Sequence, residues 1–331
     1  MPATEISSVA VNPGISPGLH IWGWEVAAYL FLGGLVAGLM VLSGVMHRRR
    51  EPPPESFALW GPLLAPVLLG AGMFALFLDL EHKLHFWRFY ASFQIASPMS
   101  WGSWILLLVF PASLLLAVVS LIECGGGAAR QPESSWVAAP VSGAQRYLRE
   151  RLDKEVADFL RAQRGHLALA NIVLGVALGI YTGILLGALG ARPLWNSPVL
   201  GPLFLLSGLS SAAALLALLE PSAEARHRLG SLDLRLIAGE AAALVLMLIG
   251  LASGGAAQRA AAHLFFGGAY TALFWIGIAF TGLLLPAVIE FLHRRGRAQA
   301  TVYPAVLVLL GGFALRVIIL FAGQASRWEY L

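Results

Sequence analysis

Eight separate runs of roughly 20 apolar residues recur along this chain, near 22–46, 58–80, 101–122, 166–189, 199–219, 234–253, 263–290 and 302–324. No other feature constrains folding as strongly. A backbone in hydrocarbon must close its own hydrogen bonds, so each run of this length has to be a helix that crosses the bilayer. The chain is 58% hydrophobic and 12% charged, where soluble domains carry about 25% charged residues. The expected fold is an all-α integral membrane protein of eight transmembrane helices. Residues 1–20 lack a basic segment and an apolar core, so no cleavable leader is read there and residues 1–18 are expected to form an extended tail.

The basic residues divide unevenly between the two ends of these runs. Three arginines lie in 47–57, seven Lys or Arg in 123–165, three in 220–235 and three in 291–301, which is 16 of the 22. The opposite end carries Lys83, Arg88, Arg192, Arg259 and Arg327, and Arg316 falls inside the last run. The positive-inside rule then puts the arginine-rich end in the cytoplasm and both termini outside, as an even number of spans requires. Trp22, Trp24, Trp87, Trp101, Trp104, Trp195 and Trp328 gather at the outer boundary, where indole rings favour the interface. Between the third and fourth runs, Leu148, Leu152, Val156 and Phe159 recur at helical spacing among charges, which predicts a surface-lying amphipathic helix over 145–163.

Small residues indicate how the helices pack. Gly175, Gly179, Gly183 and Gly187 form a bare ridge along the fourth run, and Gly34 and Gly38 a shorter one along the first. An internal echo relates LFLGGLVAGLMVL at 30–42 to FLLSGLSSAAALL at 204–216. It suggests duplication into two four-helix bundles, over 19–190 and 191–331.

Ionisable groups inside hydrocarbon need an explanation. Glu25 lies one turn inside the first run, with Tyr29 a turn deeper; the carboxylate is either a charge at a helix N-terminus or a proton-handling group. Asp79 is the most deeply placed of a polar group at the outer end of the second run, and Glu240 lies two turns into the sixth. Arg316 sits mid-span and calls for a carboxylate partner among Asp79, Glu25 and Glu240. The eight histidines fall at or near helix ends, which disfavours a haem held within the bundle. One cysteine, Cys124, is too few to ligate an iron–sulfur cluster. Redox centres, where required, belong to a partner.

Several segments carry a resemblance: YLFLGGLVAG at 29–38, FLDLEHKLHFWRFY at 77–90, SPMSWGSW at 97–104, YTGILLGALGARPLWNSP at 181–198 and GGFALRVIILFAGQ at 311–324. Together they resemble the NrfD-like family, which includes the membrane subunit of polysulfide reductase. The resemblance implies a subunit of a respiratory complex that binds menaquinone or ubiquinone and holds no haem or cluster of its own. It implies an iron–sulfur subunit docked on the extracytoplasmic face of the bacterial inner membrane, commonly with a molybdopterin subunit beyond it. Tyr181 matches the family's quinone tyrosine in the fourth span. Tyr29 stands where the polysulfide reductase subunit has histidine and Val26 where it has asparagine, so Glu25 is a candidate for the missing polar group. The expected quinone contacts are Glu25, Tyr29, Tyr181 and Trp24; the expected proton-transfer groups are Glu25, Asp79, Glu240 and Arg316. Trp101, Arg192, Trp195 and Asn196 are the expected docking surface. A secondary transporter, whose helices would break around a midplane site, and a purely structural anchor are the rival readings.

Overall fold

A computed structural model describes residues 22–48, 57–80, 82–85, 87–91, 93–95, 97–124, 135–188, 192–295 and 302–326. The tail expected over 1–18, His20, Arg327, Trp328 and parts of three arginine-rich segments, with Arg49, Arg50, Arg130 and Arg297, lie outside these residues.

Among the described residues, eight helices are long and apolar enough to cross a membrane. Span 1 is Trp24–His47, span 2 Phe57–Asp79, span 3 Pro98–Cys124, span 4 Arg164–Gly187 and span 5 Leu200–Leu219. Span 6 is Ala223–Ser253, span 7 Leu273–Arg294 and span 8 Tyr303–Ala325. Among the described residues there is no strand.

Two boundaries differ from the expectation. Span 6 is 31 residues long, roughly 46 Å at the helical rise, against about 30 Å of hydrocarbon. Its extra turns hold Arg226, His227 and Arg228, and Ser222 caps them by accepting from the Ala225 amide at 3.4 Å. Span 7 starts ten residues later than expected. Residues 264–270 form turns around Gly267, whose φ of 127° only glycine adopts without strain. The Trp275 indole holds this turn by donating to the Phe265 carbonyl at 2.9 Å. Span 7 then runs as a π-helix over Leu273–Leu284 before tightening. The wide turns end just ahead of Pro286, which has no amide to give the carbonyl one turn back. The amphipathic segment expected over 145–163 is two helices, Ser135–Arg151 and Lys154–Ala162, parted where Asp153 is extended at ψ 141°.

Span 1 is the axle of the fold, packing against spans 2, 4, 5 and 8. In the first half each helix packs on the next, and span 4 closes back on span 1. Spans 5 to 8 repeat that order, with span 8 closing on span 5. Glycines allow the tight crossings. A side chain at Gly38 would run into the Gly208 carbonyl, and one at Gly208 into that of Gly34. On span 4, a Cβ at Gly175 would come within 2.8 Å of the Ala37 carbonyl, and one at Gly183 would strike the Gly201 backbone. The ridge therefore faces span 1 and then span 5.

Candidate functional site

A cavity of about 770 Å³ opens among spans 1 to 4 at the end away from the arginine-rich loops. Span 1 contributes Val26 and Tyr29, three residues apart on one face, and Trp22 reaches in from the extended segment just before the helix. Span 2 contributes its last two turns, from Met73 to Asp79, and span 3 its first turns, from Met99 to Pro111. Tyr181 and Leu185 close the side formed by span 4, and Tyr90 reaches in from the short helix Arg88–Ala91.

The lining is apolar except for a few groups. The phenols of Tyr29, Tyr90 and Tyr181, the Asp79 carboxylate and the Ser103 hydroxyl make up the polar set. Tyr29 is 3% exposed and Tyr181 7%. The Tyr181 ring lies directly on Gly102, where any side chain would overlap it. That contact explains the glycine in SPMSWGSW: it is the floor beneath the phenol. Burial raises the Tyr90 phenol above its ordinary pKa, so it stays protonated and able to donate at neutral pH.

Glu25 and Trp24 are not part of the lining. Trp24 is 63% exposed, because it lies well round the helix from Val26 and Tyr29. Glu25 shares Tyr29's side of the helix, but its carboxylate folds back over Gly23 at the helix N-terminus, within electrostatic range of Asp79. Trp22, which the sequence places only at the outer boundary, lines the cavity from the extended segment before span 1, where helical spacing carries no signal.

Trp22 also anchors the corner of the cavity. Its backbone amide and carbonyl pair with the Gln324 side chain at 3.1 and 3.0 Å, and its ring packs 5.5 Å from that of Trp195. Trp195 is buried, donating to the Ile319 carbonyl at 2.9 Å, and the buried Arg192 donates to the Ser326 carbonyl at 2.8 Å. These two of the four expected docking residues thus hold span 8 to the loop before span 5. Asn196 and Trp101 face outward, and the Trp101 indole donates to the Ile95 carbonyl at 2.8 Å.

The remaining expected residues form a second polar group among spans 5, 6 and 8. Arg316 is 1% exposed; it donates to Ser207 Oγ at 2.6 Å and to the Phe204 carbonyl at 2.7 Å, above the Phe204 ring. Its guanidinium rests on Gly34, where a Cβ would come within 2.8 Å of it. Ser207 also pairs with Glu240, so one hydroxyl bridges the cation to the expected carboxylate. One turn of span 5 further toward the arginine-rich end, Ser210 donates to Asp233 at 2.5 Å. Asp233 escapes notice in the sequence because it sits beside Arg235 at the edge of an apolar run.

The fold and the cavity define the class: a multi-pass helical membrane protein with an apolar pocket, carrying a few polar groups, open at one end. Residues 12–326 match the family described as Polysulphide reductase, NrfD. The protein is 33% identical to the C subunit of polysulfide reductase from Wolinella succinogenes, over 92% of its own length and 94% of that subunit's. It is 31% identical to protein NrfD of Escherichia coli K12, covering 92% and 96%. It is 27% identical to an NrfD homolog of Haemophilus influenzae, covering 92% and 95%. This chain belongs to the NrfD polysulphide reductase family, and is a multi-pass membrane protein of respiratory oxidoreductase type.

Proposed function

We propose that the chain is the quinone-binding membrane subunit of a respiratory oxidoreductase, with the cavity among spans 1 to 4 as its quinone site. The carrying observation is the cavity itself. Its size suits a quinone ring and the start of its tail, and its apolar walls suit the isoprenoid. The few polar groups suit a ring with two acceptor oxygens. When bound, a menaquinone or ubiquinone exchanges two electrons and two protons.

The chain's own residues do the rest. Tyr181, held on Gly102, and Tyr29 donate hydrogen bonds and orient the ring. Asp79, at the rim of the cavity, exchanges protons with the site. Glu25, close by at the start of span 1, passes them to the outer surface. The lining of spans 2 and 3 excludes water. In this reading the arginine-rich end is cytoplasmic. A partner carrying iron–sulfur clusters, itself serving a molybdopterin subunit, docks over the opposite end on Trp101 and Asn196. The buried row from Arg316 through Glu240 to Asp233 carries protons from the cytoplasmic side during turnover. That row joins groups of the second half, and the two closed groups of four helices are the two domains.

The test is direct. Protein purified in mild detergent is expected to retain extractable quinone and to bind a fluorescent hydroxyquinoline-type analogue with one site per chain. The Tyr181→Phe variant is expected to bind it more weakly. Absence of both quinone and analogue binding in folded protein would leave a membrane anchor as the better reading.

A further inference from the structure

At the arginine-rich end, away from the cavity, His227 of span 6 faces Glu290 and His293 of span 7. Their ligating atoms all lie within 4.8 Å of one another. The imidazole of His293 is 3.9 Å from Glu290 Oε1, and the rings of His227 and His293 stand edge to face at 5.5 Å. Glu290 and His293 are one helical turn apart, so both project from one face of span 7.

Three features set this group apart from a solvated helix end. Glu290 Oε1 is buried and has no hydrogen-bond partner among the described residues, a costly state for a carboxylate oxygen. The carboxylate occupies the space a side chain at Gly230 would fill, so the neighbouring helix is hollowed to receive it. Beside it is a small cavity of about 40 Å³, lined by Glu290, His293 and Asp233. That volume holds one ion or a water or two.

We infer that His227, Glu290 and His293 form a binding site for a divalent transition-metal ion of the zinc class, bridging spans 6 and 7. Two imidazoles and a carboxylate are a donor set zinc accepts, with water in the fourth position. Ligands in such a shell sit roughly 3.4 Å apart for metal bonds of about 2.1 Å. The three groups therefore need only to draw inward by about an ångström through side-chain rotation. Asp233 lines the far side of the same small cavity and is itself paired with Ser210. Arg226 also lines this cavity, with its guanidinium tethered by donating to the Pro221 carbonyl at 3.2 Å.

The experiment uses the untagged full-length protein in detergent, stripped with chelator and titrated with Zn2+ alone. One high-affinity ion per chain is expected. X-ray absorption of the loaded wild type should show a nitrogen and oxygen shell with scattering from two imidazoles. His293→Ala and Glu290→Gln should each weaken binding at least tenfold, whereas His85→Ala, just after span 2 at the opposite end of the helices, should leave it unchanged. Stoichiometric binding that survives His293→Ala and Glu290→Gln, or a wild type that takes up no Zn2+ or shows no imidazole shell, would overturn the site.

Discussion

Replacing Gly102 by alanine tests the geometry at Tyr181 with a single methyl group. The added carbon would lie inside the phenol ring of Tyr181, overlapping its oxygen and two ring carbons. Carbon atoms in contact stand about 3.5–4.0 Å apart, so the ring must retreat by on the order of 1.5 Å. Gly102 is the floor, so the ring can only move into the cavity or away from its present aim. A neutral hydrogen bond contributes about 0.5–1.5 kcal/mol; losing the one from Tyr181 weakens quinone binding roughly 2- to 13-fold. Overpacking should also lower stability by about 1–3 kcal/mol. Gly70→Ala is the control, because a side chain there meets nothing within 4 Å. Analogue binding by fluorescence quenching, alongside thermal unfolding of both variants, separates the two effects. If Gly102→Ala binds the analogue as wild type does, the phenol does not hold the ring, and the orientation argued for Tyr181 fails.

Tyr181→Phe keeps the ring on Gly102 and removes only the donor, so binding should fall within the same 2- to 13-fold range with little change in melting temperature, read by the same two assays. Asp79→Asn should leave analogue binding nearly intact while slowing quinol turnover of the assembled complex by about 100-fold or more, the usual contribution of a positioned acid or base; Glu25→Gln should slow it less, and equal rates in both variants and wild type would remove the carboxylates from proton exchange. Arg316→Met should destabilise by about 3–5 kcal/mol because Glu240 is left as an uncompensated buried carboxylate. Adding Glu240→Gln should restore most of that loss, and two losses that simply add in thermal unfolding would show that the two groups do not interact.

Much of the fold was legible because hydrocarbon leaves a chain so few choices. The eight spans follow from apolar length alone, and the glycine ridge of span 4 names its own neighbours once side chains are seen to be forbidden there. What length could not show is where lipid ends and helix continues. Span 6 runs past the apolar stretch because a Ser222 cap and good helix formers sustain it in water. The apolar segment FFGGAY before span 7 turns because its glycines permit a positive φ. In the cavity, Tyr29 and Tyr181 were readable from helical period and resemblance. Trp24 and Glu25 were harder to place: a helical side chain leans toward the N-terminus, so at the first turn it escapes the bundle instead of entering it. Arg192 and Trp195, chosen as surface groups, are turned inward by partners some 130 residues away in the chain, Ser326 and Ile319. No local pattern encodes such pairs.

The bare backbone of Gly34 supports the Arg316 guanidinium, and five residues earlier on the same helix Tyr29 borders the cavity. Those positions are separated by roughly 7.5 Å of rigid α-helix, braced at Gly38 against the backbone of Gly208. Span 1 is thus a short lever with one arm at the ligand and the other beneath a buried cation. A push on Tyr29 that slides or rotates this helix must reset the seat of Arg316, with no intervening loop to absorb the motion.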